Sequence, residues 1–226
     1  MANLGIIVAE DEEFFAIENI VKNISIKIIY DLEFLTGVIN KSNIILVKSG
    51  VGKVNASRTT QILIDKFDVD YVLNVGSAGG VNESFNIGDI IIGTKVVQHD
   101  FDVSAFGREK GMVPDVGKFF CSDEVLVNRL ISFSDSSLVL RSGIVASGDR
   151  FITDINVKDF ICNEFGADCI EMEGAAVAQV CFLCRKPFVI IRSISDKPNG
   201  SNNIDFDKFL RVASLNCAKI IDKLTK

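Results

Sequence analysis

The stretch Phe188-Val189-Ile190-Ile191-Arg192-Ser193-Ile194-Ser195-Asp196 decides the fold class. From Phe188 to Ile194 it is nearly continuous in apolar and β-branched residues. A half-exposed strand would alternate with polar residues; a strand covered on both faces has no need to. Leu4–Val8, Ile44–Val47 and Tyr71–Val75 read the same way. Shorter or more mixed runs at Ile26–Tyr30, Phe34–Ile39, Asp89–Val97 and Leu138–Val145 read as further strands. Helical patterns lie between them, at Asp11–Lys22, Lys53–Phe67, Val125–Phe133, Val157–Phe165 and Gly174–Leu183. Near the end of the chain, Phe209, Leu210, Ala213, Cys217, Ile220, Ile221 and Leu224 fall on one helical face, with Asp205 or Asp207 available to cap its start. The expectation is an α/β fold: a single-domain three-layer sandwich over residues 1–226, with a mixed central β-sheet flanked by helices.

The 226 residues suffice for one sizeable core, and 48% hydrophobic residues are too many for a disordered chain. With 24 basic against 30 acidic residues the formal charge is −6, and no basic cluster offsets it locally. Such a chain gains nothing from counterion release on a nucleic acid or from an anionic membrane surface, so neither is expected as a partner. No apolar run approaches the roughly 20 residues of a spanning helix, and acidic residues interrupt the N-terminal segment where a signal peptide would be apolar. Six cysteines without a paired framework fit a reducing compartment, and the expected location is cytoplasmic. Cys181 and Cys184 sit in a helical run with no second pair, and the chain has one histidine, His99. The cysteines therefore read as small core residues, His99 as a loop or surface residue, and no metal or cofactor is expected.

In covered parallel sheets, ligands bind beyond the carboxyl ends of the strands. Polar residues gather at those places. Glu10-Asp11-Glu12-Glu13 opens a helix, where the dipole favours carboxylates, yet four in a row exceed what capping needs, and one is a candidate general base. Ser49-Gly50-Val51-Gly52-Lys53 fails the Walker pattern and half-matches a dinucleotide loop; it reads best as a tight turn from strand into helix. Asn74-Val75-Gly76-Ser77-Ala78-Gly79-Gly80 lets backbone approach a ligand, or is a structural turn. Glu171-Met172-Glu173 sets two carboxylates at a strand-to-helix junction. Asp196 closes the last buried strand, where partial desolvation makes it a candidate acid, although a turn or cap role is equally ordinary for an Asp.

Taken together with Ser147-Gly148-Asp149-Arg150-Phe151-Ile152 and Ser193-Ile194-Ser195-Asp196, these segments resemble the 5′-methylthioadenosine/S-adenosylhomocysteine nucleosidase family, in order and spacing, from about residue 4 to residue 224. The resemblance implies a nucleoside phosphorylase-like fold, a homodimer, and hydrolysis of an adenine thionucleoside to adenine and a thioribose, with water as the nucleophile. It implies that Asp196 protonates adenine N7, that Glu13 activates the water, and that Glu173 binds the ribose hydroxyls and favours positive charge developing on the sugar. It further implies that Phe151 stacks on the base, the Ile152 backbone reads its edge, Met172 packs on the ribose, and Ser77, Gly79 and Ser195 line the pocket. Phe206 would close the adenine side, and Phe106 would come from the partner subunit to the apolar 5′ end. Glu10 stands where the family usually carries an apolar residue, and Arg150 where it usually carries a small one.

The nearest rival is a purine nucleoside or uridine phosphorylase of the same superfamily, which must hold a phosphate. Those relatives carry arginines where this chain has Asn74 and the Glu10–Glu13 loop, and both differences favour water. A noncatalytic nucleotide-binding module is the rival from another class, and it would need Gly50–Asn55 to be the site.

Overall fold

The computed structural model describes residues 1–82, 84–135, 138–196 and 206–226, the last segment with side chains from 209 onward. In chain order the elements are β1 (Asn3–Val8), α1 (Asp11–Glu18), β2 (Lys22–Ile29), β3 (Leu32–Ile39), β4 (Ser42–Lys48), α2 (Lys53–Lys66), β5 (Tyr71–Gly80), β6 (Ile90–Gln98), a 3-10 turn (Ser104–Phe106), β7 (Phe120–Cys121), α3 (Glu124–Ile131), β8 (Leu140–Ser147), α4 (Ile155–Phe165), β9 (Cys169–Glu171), α5 (Gly174–Leu183), β10 (Phe188–Asp196) and α6 (Phe206–Thr225).

Every strand belongs to one mixed sheet, ordered β10-β6-β8-β9-β5-β1-β4-β3-β2, with β7 beside β6. The nearly continuous apolar runs form its centre: β10, β5, β1 and β4 are neighbours and parallel. Because β10 also pairs antiparallel with β6, and β9 antiparallel with β5, the path β5-β9-β8-β6-β10 returns to β5. That half of the sheet closes on itself, which leaves the central strands no free edge.

Each apolar strand feeds two cores. Ile6 and Val8 face a cluster with Ile17 of α1, Leu130 of α3 and Ile220 and Ile221 of α6. Ile7, Val47 and Val72 face the opposite cluster, with Ala56 and Leu63 of α2 and Ala175–Ala178 of α5. Helices thus cover both faces, which is why these strands need no polar alternation. A third, smaller cluster joins Ile161 and Phe165 of α4 to Val97, Ala146 and Ile170.

The structure corrects several expected boundaries. α1 ends at Glu18 instead of Lys22, because Asn19 caps it and a short turn leads at once into β2. Asn23, with φ 57°, supports the bulge that shifts the β2–β3 register. Asn74–Gly80 is strand, not turn: β5 runs to Gly80, pairing with β10 and β9. By contrast, Gly50 and Gly52, at φ 78° and 100°, make the expected tight turn into α2. Of the two candidate caps of α6, Asp207 lies inside the helix and Asp205 falls outside the described residues. Cys169, Cys181 and Cys217 are buried, whereas Cys162 and Cys184 are half-buried and Cys121 is exposed, so the core reading holds for three of the six. No helix of the described residues is long and apolar enough to cross a membrane.

Leu73 is fully buried at the centre of the sheet. Leu73→Ala should cost about 2–5 kcal/mol of stability, the usual range for a large core truncation; a urea unfolding curve measures it.

Candidate active site

One cavity of about 400 Å³ opens where the central strands end. It is lined by Glu13, Ser77, Gly79, Phe151, Ile152, Met172, Glu173, Ser195 and Asp196, nine of the eleven residues expected at the site. Phe106 does not line it and is 85% exposed. Phe206 begins α6, and its side chain lies outside the described residues.

The acidic loop resolves itself by burial. Glu12 is exposed, while Glu13 turns inward and is 4% exposed. Glu13 Oε2 accepts the backbone N–H groups of Ala9 (2.9 Å) and Glu10 (3.1 Å), and its Oε1 accepts that of Ser77 (2.9 Å). The glycine-rich end of β5 makes room for it: a Cβ on Gly76 would lie 2.7 Å from Glu13 Oε1. Burial raises the Glu13 pKa above the ordinary carboxylate value, and the Ser77 N–H and the Arg192 charge offset only part of that rise. A buried carboxylate with a raised pKa is a stronger base than a solvated one. Glu10 beside it is half-buried, and its pKa is raised by burial and by the three carboxylates that follow it.

Glu171 and Glu173, close in sequence, occupy opposite electrostatic situations. Glu171 lies against Arg192: the guanidinium Nε donates to Oε2 at 3.1 Å, and a shorter contact joins Nη2 to the same oxygen. Glu171 also accepts the hydroxyl of Ser147 and the N–H groups of Glu173 (3.1 Å) and Gly174 (2.8 Å) at the start of α5. Burial would push its pKa up, but Arg192, Ser147 and the amides outweigh burial and hold it below the ordinary value. Glu173 is left with the unfavourable share. Burial and the Glu171 charge push it up to about 7, against the opposing pull of Arg192 and of the Gly52 N–H, which donates to Oε1 at 2.8 Å. The turn at Gly50–Lys53 therefore serves to hold a carboxylate.

Asp196 sits against the glycine end of β5, where a Cβ on Gly79 would be 3.1 Å from its Oδ2. Ser195 Oγ lies 3.1 Å from Asp196 Oδ1 and 3.2 Å from the Ala78 carbonyl, so its single proton can serve either.

Arg192, Glu171, Ser147, Asn74 and Lys158 are parts of this region that the motifs did not assign. A signal for Arg192 existed: an arginine inside a buried strand must be paired. It is 1% exposed, and it also donates to the Asn74 carbonyl (3.2 Å), the Ile191 carbonyl (3.1 Å) and the Asn74 side-chain oxygen. His99 follows β6 in a loop, as expected, but it is half-buried against Gly148 rather than on the surface, and burial lowers its pKa.

Residues 3–226 match the family model of the phosphorylase superfamily. The chain is 39% identical to the 5′-methylthioadenosine/S-adenosylhomocysteine nucleosidase of Bacillus pumilus (strain SAFR-032), over 99% of this chain and 98% of that protein. The chain belongs to the 5′-methylthioadenosine/S-adenosylhomocysteine nucleosidase family.

Solved structures agree on the nucleosidase fold. A point mutant of the Helicobacter pylori nucleosidase with 5′-methylthioadenosine in its active site superposes with a TM-score of 0.95 at 32% identity, covering 99% of this chain and 98% of that one. A futalosine hydrolase of H. pylori strain 26695 gives 0.94 at 33% identity, covering 99% and 97%. Two departures from the nucleosidase pattern, Glu10 and Arg150, both line the cavity.

Because burial pushes Glu173 up to about 7 from the ordinary carboxylate value near 4.5, its ionised form opposes folding above pH 4.5, fully so above pH 7. Glu173→Gln should therefore raise the melting temperature at pH 8 by about 2–5 °C, with the gain fading as pH falls toward 5. Melting curves at the two pH values check it. Gly76→Ala should displace the Glu13 carboxylate and abolish turnover while the circular dichroism spectrum stays native.

Proposed function

We propose that this chain hydrolyses the N-glycosidic bond of 5′-methylthioadenosine and S-adenosylhomocysteine, and also that of 5′-deoxyadenosine, releasing adenine and the corresponding ribose. The carrying observation is one cavity whose five lining carboxylates include Glu13, Glu173 and Asp196 in separate settings, while its one buried arginine is already engaged.

Asp196 is the acid. A departing adenine carries negative charge, and a proton at N7 turns it into a neutral leaving group. Ser195 and Gly79 fix where that carboxyl sits. Glu13 holds the water and takes its proton; three backbone N–H groups keep its carboxylate in one orientation. Glu173 accepts hydrogen bonds from the ribose 2′ and 3′ hydroxyls and favours the oxocarbenium-like sugar of the transition state. Phe151 stacks on the base, Ile152 reads its edge through the backbone, and Met172 packs on the ribose. Ser77 and Gly79 complete the wall.

Water rather than phosphate is the nucleophile. A phosphate needs free donors: the buried Arg192 spends its own on Glu171, Asn74 and Ile191, Lys158 faces Asp196, and Arg150, the remaining basic residue of the lining, is exposed. Glu10 and Glu13 would repel the anion. A homodimer fits the exposed apolar residues Val51, Val54, Phe106 and Leu183, which are 43%, 78%, 85% and 59% exposed in a single chain, with Phe106 reaching the partner's 5′ end. The cytoplasm fits the six unpaired cysteines.

Incubation with methylthioadenosine in phosphate-free buffer should release adenine and a reducing thioribose, and added phosphate should not speed it. Strict phosphate dependence with a sugar 1-phosphate product would sink the hydrolase reading. Asp196→Asn should lower turnover by on the order of 10²–10⁴, the ordinary worth of a general acid, with a native circular dichroism spectrum.

A further inference from the structure

The buried stripe of α4 runs through residues 158, 161 and 165, at i, i+3 and i+7. Ile161 and Phe165 are what such a stripe calls for; the third residue is a lysine. Lys158 is 6% exposed, lines the active-site cavity, and places Nζ 3.8 Å from Asp196 Oδ2. That separation is an ion-pair contact beyond hydrogen-bond length. Among the described residues Asp196 is its one charged partner. A cation in the core is costly unless something anionic faces it, so a lysine here needs a reason tied to Asp196.

We propose that Lys158 is a positioning residue for the leaving-group acid: its ammonium holds the Asp196 side chain toward the cavity and stabilises the carboxylate that remains once the proton has passed to the base. The inference rests on Asp196 being that acid. In the reaction the bond from C1′ to N9 breaks and its electron pair stays with the purine. The Asp196 proton moves to N7, so adenine leaves neutral and Asp196 is left anionic. The water oxygen bonds to C1′, and its proton goes to Glu13. Lys158 keeps its charge throughout, whereas Asp196 turns from neutral to negative. From the protonated, reactive form of Asp196 onward, the attraction between them grows as the transition state is reached, and an interaction that grows in that way favours the proton transfer. At 3.8 Å, between two largely buried side chains, a unit charge is felt much more strongly than in water. Ser195 cannot do the same, since its hydroxyl is neutral and divides its proton between Asp196 and Ala78.

The test uses two substrates that share a sugar and differ in the leaving group. Methylthioadenosine needs a proton on its base. The p-nitrophenyl glycoside of methylthioribose does not, because nitrophenolate departs as a stable anion. Lys158→Met keeps the apolar stem in the core and removes the charge. It should lower kcat for adenine release by on the order of 10–100-fold, a part of what the acid itself supplies, and change nitrophenolate release by no more than about twofold. In an Asp196→Asn background, where no carboxylate forms, Lys158→Met should add nothing. Unchanged adenine release in the single variant overturns the proposal. Equal slowing of both substrates also overturns it, because a packing defect would harm the sugar site as much as the base site. If Asp196→Asn alone slows both substrates alike, the assignment of the acid falls, whatever Lys158 does.

Discussion

Arg192 is the constraint on which the site depends. It stands inside the central strand β10, is 1% exposed, and is held by Glu171 of β9 and by both oxygens of Asn74 on β5. Three strands that each end at the cavity are thereby tied at one point. A buried pair of this kind is weak evidence for stability, because desolvation consumes most of the Coulombic gain. Its value lies in geometry and in charge balance. Glu171 neutralises Arg192 and in turn accepts the first amides of α5, so the start of that helix, and Glu173 with it, has a set position.

That pairing also explains why the carboxylates differ. The positive charge is claimed by Glu171, which stays below the usual pKa range. Glu13 and Glu173 feel Arg192 only partly, and burial lifts both. The cavity thus contains acidic groups of one chemical type that respond differently to pH because their surroundings differ, which is how one site can combine proton transfer with charge stabilisation. Folding tolerates this cost because the two cores on either side of the sheet are continuous and closely covered by helices.

The parts of this arrangement legible in the sequence are those where composition and position coincide. The apolar runs Leu4–Val8, Ile44–Val47, Tyr71–Val75 and Phe188–Ile194 could only be strands covered on both faces, and they form the parallel centre of the sheet. The site motifs fall at the ends of those strands, so nine of eleven expected residues meet in one cavity. Less legible was whatever depends on contacts distant in sequence. Glu12 and Glu13 cannot be told apart until the Ser77 amide, 64 residues away, is seen to select Glu13. Asn74–Gly80 reads by composition as a ligand-approaching loop or a structural turn, yet pairing with β10 and β9 makes it strand. Lys158 sits at a core position of α4 that periodicity assigns to a hydrophobe, and only the fold brings it to Asp196.

The central claim is that these carboxylates divide the work on a bound adenine thionucleoside by position. A crystal structure of the protein soaked with a non-hydrolysable methylthioadenosine analogue tests it most directly. The account predicts the purine against Phe151, with an Asp196 oxygen within hydrogen-bond distance of N7, Glu173 on the ribose hydroxyls, and Glu13 facing the open side of C1′. A purine whose N7 faces away from Asp196, or a ribose whose hydroxyls avoid Glu173, would contradict it.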